Sequence, residues 1–88
     1  MNEDVFKLAS EINGLQNINL LNVENEVNYI IKNNITNFNT IENTLDKILD
    51  LRFYFGDSVN ELYYGLLNYY KTLNIEASND YKKIYINY

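Results

Sequence analysis

The run Ile41 to Tyr70, IENTLDKILDLRFYFGDSVNELYYGLLNYY, holds two segments whose apolar residues recur with the period of an α-helix, split by an aromatic, glycine-bearing bend. Ile41, Leu45, Ile48 and Leu49 stand at i, i+4, i+7 and i+8, one face of a first helix. Val59, Leu62, Tyr63, Leu66 and Tyr70 mark the face of a second. Asn39 with Glu42, and Ser58 with Glu61, have the spacing of capping boxes, in which a side chain at each end of the box satisfies a free backbone N–H. Between the helices, Arg52 to Asp57 has to reverse the chain, and Gly56 supplies the backbone freedom for it.

Around this pair the pattern is less regular. Val5, Leu8, Ala9 and Ile12 give Asp4 to Ile12 one apolar face, with Asn13 and Gly14 as a stop signal. Ile18 to Val23 and Val27 to Lys32 are rich in Ile, Leu and Val and read as two strands, although LLNVENEVNYII also fits a 3.6-residue period in part. Leu73 to Ala77 and Tyr81 to Tyr88 read as two more strands around a turn at Ser78 to Asp80. Gly65 falls inside the second helix, where it costs up to about 1 kcal/mol relative to Ala, a cost that a close approach by another backbone would justify.

Length and charge narrow the function. A chain of 88 residues is one domain with one modest core. The net charge is −5, and residues 1 to 50 hold eight acids against three bases, so the first half carries the field. Phosphate recognition needs clustered Lys and Arg, which argues against nucleic acid and for a basic protein partner. With neither His nor Cys, no nucleophile and base pair and no thiolate metal site can be assembled, so the expectation is a non-enzyme without cofactor or metal. Acidic residues near Met1 and the lack of a long apolar run point away from a signal peptide and a membrane span, and toward the cytoplasm. Nine tyrosines, five of them on or beside the second helix, are too many for one core face, and tyrosine is favoured at interfaces.

The run TIENTLDKILDLRFYFGDSVNELYYGLL resembles the centre of the barstar family, intracellular inhibitors of ribonucleases. The shared features are Thr44 and Leu45, Leu49 and Leu51, Tyr54 and Phe55 before Gly56, Asp57, and then Leu62 and Tyr63; Ile30, Ile31, Ile35 and Phe38 extend the likeness to about Tyr29 to Leu67. The resemblance implies a small single α/β domain: a short three- to four-stranded sheet packed by the helical pair plus the N-terminal helix, in a direct or a circularly permuted order. It also implies a surface made of Tyr54, Gly56, Val59, Asn60, Tyr63 and Tyr64 that plugs a partner's active site. Asn60 and Tyr64 stand where the family has carboxylates, so Asp57 and Glu61 are added as the acids nearest that surface.

The functional expectation is an inhibitor or immunity protein, monomeric or dimeric, that masks a basic toxin or enzyme, a nuclease among the candidates. Two rivals belong to other classes. One is an acidic anti-defence or nucleic-acid-mimic protein using Glu24, Glu26 and Asp46; the other is a structural module that pairs with its own copy.

Overall fold

The computed structural model describes the backbone of residues 3–87 and the side chains of residues 17–87. Four α-helices follow one another: α1 (Glu3–Lys32), α2 (Phe38–Phe55), α3 (Asn60–Leu73) and α4 (Ile75–Asn87), with a 3₁₀ turn, Gly56–Val59, between α2 and α3. No strand occurs among the described residues. The expected α/β domain, and with it the barstar-like sheet, is therefore replaced by an all-helical fold.

The first correction lies in α1. The expected Asp4–Ile12 helix does not stop at Gly14, and both expected strands, Ile18–Val23 and Val27–Lys32, are turns of the same 30-residue helix. Val23, Val27 and Ile30 are buried and Leu20 is half-buried, a stripe at i, i+3, i+7 and i+10 that only a helix presents to one side. Packing of that stripe outweighs the β preference of Val and Ile, which is worth at most about 1 kcal/mol per residue.

α1 ends in a Schellman motif. The Ile35 N–H donates to the Ile30 carbonyl at 3.0 Å and the Asn34 N–H to the Ile31 carbonyl at 3.3 Å. Asn34 takes the left-handed φ of 53° that this motif demands. Ile35, packed against the core, supplies the apolar contact that goes with it.

The central pair keeps its expected faces. Ile41, Leu45, Ile48 and Leu49 of α2 are buried, as are Tyr63, Leu66 and Tyr70 of α3. Its caps differ from expectation. Asn37, two residues before Asn39, caps α2 by accepting from the Thr40 N–H at 3.1 Å. Ser58 instead donates to the Phe55 carbonyl at 2.7 Å and so closes the reversal. Gly56 adopts φ 58° and ψ −136°, a backbone region open only to glycine, as the bend requires. Gly65 was expected to make room for another backbone, but nothing lies within 4 Å of where its Cβ would sit.

The expected strands Leu73–Ala77 and Tyr81–Tyr88 and the turn between them are instead the last residue of α3, the link Asn74 and the helix α4, with Tyr88 outside the described residues. Asn74 serves both neighbours: its N–H donates to the Tyr70 carbonyl at the end of α3, and its side-chain oxygen accepts from the Ala77 N–H at the start of α4. Ala77, Ser78, Tyr81 and Tyr85 then face α3 at helical spacing. Successive helices run antiparallel, with Glu26 opposite Lys47, Glu42 opposite Tyr70, and Leu67 opposite Ser78. α1, α2 and α3 pack mutually around the core, and α4 lies along α3.

Candidate functional site

Tyrosine hydroxyls hold this bundle together. The Tyr63 hydroxyl donates to the Tyr81 carbonyl at 2.8 Å, that of Tyr69 to the Ile35 carbonyl at 2.8 Å, and that of Tyr70 to the Glu42 carboxylate at 2.5 Å. Tyr85 stacks on Tyr63 with ring centres 4.1 Å apart and donates to the Asn60 side-chain oxygen. Arg52 completes the seam: its guanidinium lies 4.2 Å from the centre of the Tyr85 ring and donates to the Tyr85 carbonyl at 2.7 Å. Burial raises the pKa of Tyr63, Tyr70, Tyr81 and Tyr85, with Tyr81 pushed up to about 12 by desolvation and the nearby Asp46 and Glu42 carboxylates.

This seam divides the surface expected from the sequence. Val59 and Tyr63 are sealed in the core, at 1% and 0% exposure, and offer nothing to a partner. Asn60 is half-buried and bonded to Tyr85, while Tyr64 is half-buried with its ring edge-on to Tyr85 at 5.4 Å. Tyr54, Gly56, Asp57 and Glu61 are exposed. Tyr54 and Tyr64 do not share a face, because Tyr64 leans on α4 whereas Tyr54 lines a groove between α1 and α2.

Among the described residues Tyr29 and Phe38 are exposed singly, whereas the end of α2 exposes two aromatic rings in mutual contact. Phe53 is 82% exposed and Tyr54 58%, their rings edge to face at 5.4 Å. Two such rings held in water lose the free energy that burial would give them, of order 1.5–3 kcal/mol for a side chain like Phe. Within one turn stand the exposed acids Asp50 and Asp57, and Glu61 opens the next helix. The one cation among them, Arg52, turns inward to Tyr85 and reaches Asp57 at 3.5 Å. The aromatic end therefore sits in a negative field.

Beside Tyr54 the α1–α2 groove opens into two chambers, one on each side of the Glu26–Lys47 ion pair at 3.0 Å. The first, about 410 Å³, has Val23 and Leu51 as apolar floor and Asn19, Asn22, Asp50 and Tyr54 as rim. The second, about 510 Å³, runs toward Tyr29, Asn43 and Thr44.

Sequence reasoning missed Phe53 and the α1 wall of this groove. Phe53 could have been found by continuing the α2 period through the bend. Asn19 and Asn22 could not, once their segment was read as a strand. Among the described residues no cluster of His, Cys, Asp or Glu is arranged to hold a metal ion, and no helix is long and apolar enough to cross a membrane. Comparison of the chain with protein-family models, with curated proteins and with solved structures yields no significant match.

Proposed function

We propose that this chain is a protein-binding inhibitor or immunity protein that masks a basic toxin or enzyme with the aromatic end of α2. One observation carries the reading: two large rings, Phe53 and Tyr54, stand open to water side by side, with the exposed acids Asp50 and Asp57 three residues before and after them in the chain and Glu61 in the first turn of α3. Clustered exposed aromatics are characteristic of interface hot spots, and a net charge of −5 favours encounter with a basic surface. The contact face is narrower than the sequence implied, since Val59 and Tyr63 belong to the core and Tyr64 to the α4 seam.

The test is capture from the native host with immobilised wild type, with Phe53→Ala/Tyr54→Ala, and with Ile84→Ser/Ile86→Ser on α4 as a control. All three should keep the same far-UV circular dichroism. The reading expects one basic protein retained by wild type and control, released by raised salt, and lost from the aromatic double variant. Retention by the double variant at undiminished affinity overturns it.

A further inference from the structure

We infer that the groove chamber beside Tyr54 is a seat for an arginine side chain of the protein partner. This deepens the protein-binding reading and rests on it. The chamber brings together what a guanidinium needs. Asp50 supplies an exposed carboxylate that makes no ion pair among the described residues, Tyr54 an exposed ring, and Asn19 and Asn22 exposed side-chain amides on the opposite wall that can turn their oxygens to a donor. Buried Val23 and Leu51 give an apolar floor for the aliphatic stem.

The charges facing the chamber decide the sign of the ligand. Glu26 and Lys47 close the far end but are paired at 3.0 Å, so their fields largely cancel and the balance is the charge of Asp50. An anion would meet two carboxylates and a cation already engaged. A neutral apolar group would find little to bury against, since Val23 and Leu51 are only 5% exposed and the rest of the lining is polar or charged apart from the Tyr54 ring. Arginine is favoured over lysine because a planar guanidinium stacks on a ring while its fork of donors reaches a carboxylate and two amide oxygens at once. The second chamber, beyond the ion pair, has Tyr29 and Asn43 but no carboxylate other than the paired Glu26, and so serves as an internal control.

The experiment is a two-dimensional amide NMR titration of the whole chain with N-acetyl-arginine amide, and in parallel with N-acetyl-citrulline amide, which has nearly the same shape and no charge. Saturable shifts are expected at Asn19, Asn22, Asp50 and Tyr54, with Tyr29 and Asn43 unmoved. Citrulline should bind about tenfold more weakly, as should arginine to Asp50→Asn, each having lost one charge-assisted pair. Tyr54→Leu should weaken arginine without restoring citrulline. Non-saturable shifts, equal shifts from the two probes, or an unchanged Asp50→Asn titration overturn the inference. If partner capture through Phe53 and Tyr54 persists while arginine fails to bind, only the seat is lost; if arginine binds but no partner depends on the two rings, the protein-binding reading fails instead.

Discussion

At the scale of single residues, the surplus of tyrosine is explained by hydroxyls that reach from one helix to the next. Tyr63, Tyr69, Tyr70 and Tyr85 each bury a ring in or against the core and end in a hydrogen bond to another element. Replacing Tyr63 by Phe should cost about 1–2 kcal/mol, because the Tyr81 carbonyl loses a partner inside the α3–α4 contact. The two glycines in and after the bend should respond in opposite senses. Gly65→Ala should stabilise by about 0.5–1 kcal/mol, since helical backbone there has open space where the Cβ goes. Gly56→Ala should destabilise by about 1–3 kcal/mol, since φ 58° with ψ −136° is closed to a side chain. Urea unfolding of the three variants measures each change, and a destabilised Gly65→Ala would refute the assignment of free space. The demand at Gly56 was legible in the sequence as a turn signal. The destinations of the tyrosine hydroxyls were not, because each depends on how two helices far apart in the chain are set side by side.

At the scale of elements, what failed to show in the sequence were the elements rich in β-branched and aromatic residues. Residues 18–32 and 75–87 have strand-like composition, yet Val23, Val27 and Ile30, and again Ser78, Tyr81 and Tyr85, keep helical spacing. Periodicity was the better guide there, because a stripe can be buried only by the element whose period it matches. α2 and α3 were legible since composition and spacing agree in them. The ends were harder to read: in a chain with many Asn residues and no Pro, any of several Asn side chains fits a cap, and among the described residues it is Asn37 and Asn74 that make the bond to the first turn. Asn74→Ala should lower stability by about 1 kcal/mol and fray the start of α4, read as faster amide exchange at Ala77 and Ser78. Unchanged exchange would mean that Asn74 is not the cap.

For the whole molecule, helix and tyrosine together set a boundary in pH. Tyr81 has its pKa pushed up to about 12, and Tyr63, Tyr70 and Tyr85 are shifted in the same direction from an ordinary value near 10. The fold therefore favours the protonated phenol. That contribution is complete below about pH 10 and is lost as pH rises from there through 12, because the unfolded chain releases these protons first. Alkaline titration followed by circular dichroism and tyrosinate absorbance should show helix loss and ionisation of the buried phenols together in that window. Ionisation near pH 10 of all nine tyrosines with the helices intact would contradict the packing of the seam.

The same seam leaves the aromatic end of α2 as the large exposed ring pair of the described surface, and the proposed role stands or falls on whether a partner covers it. Hydroxyl-radical footprinting of the complex formed with the captured protein measures that coverage directly. Protection concentrated at Phe53 and Tyr54, with Ile84 and Ile86 of α4 as reactive as in the free chain, is the predicted pattern. Undiminished reactivity of Phe53 and Tyr54 in a saturated complex would contradict it.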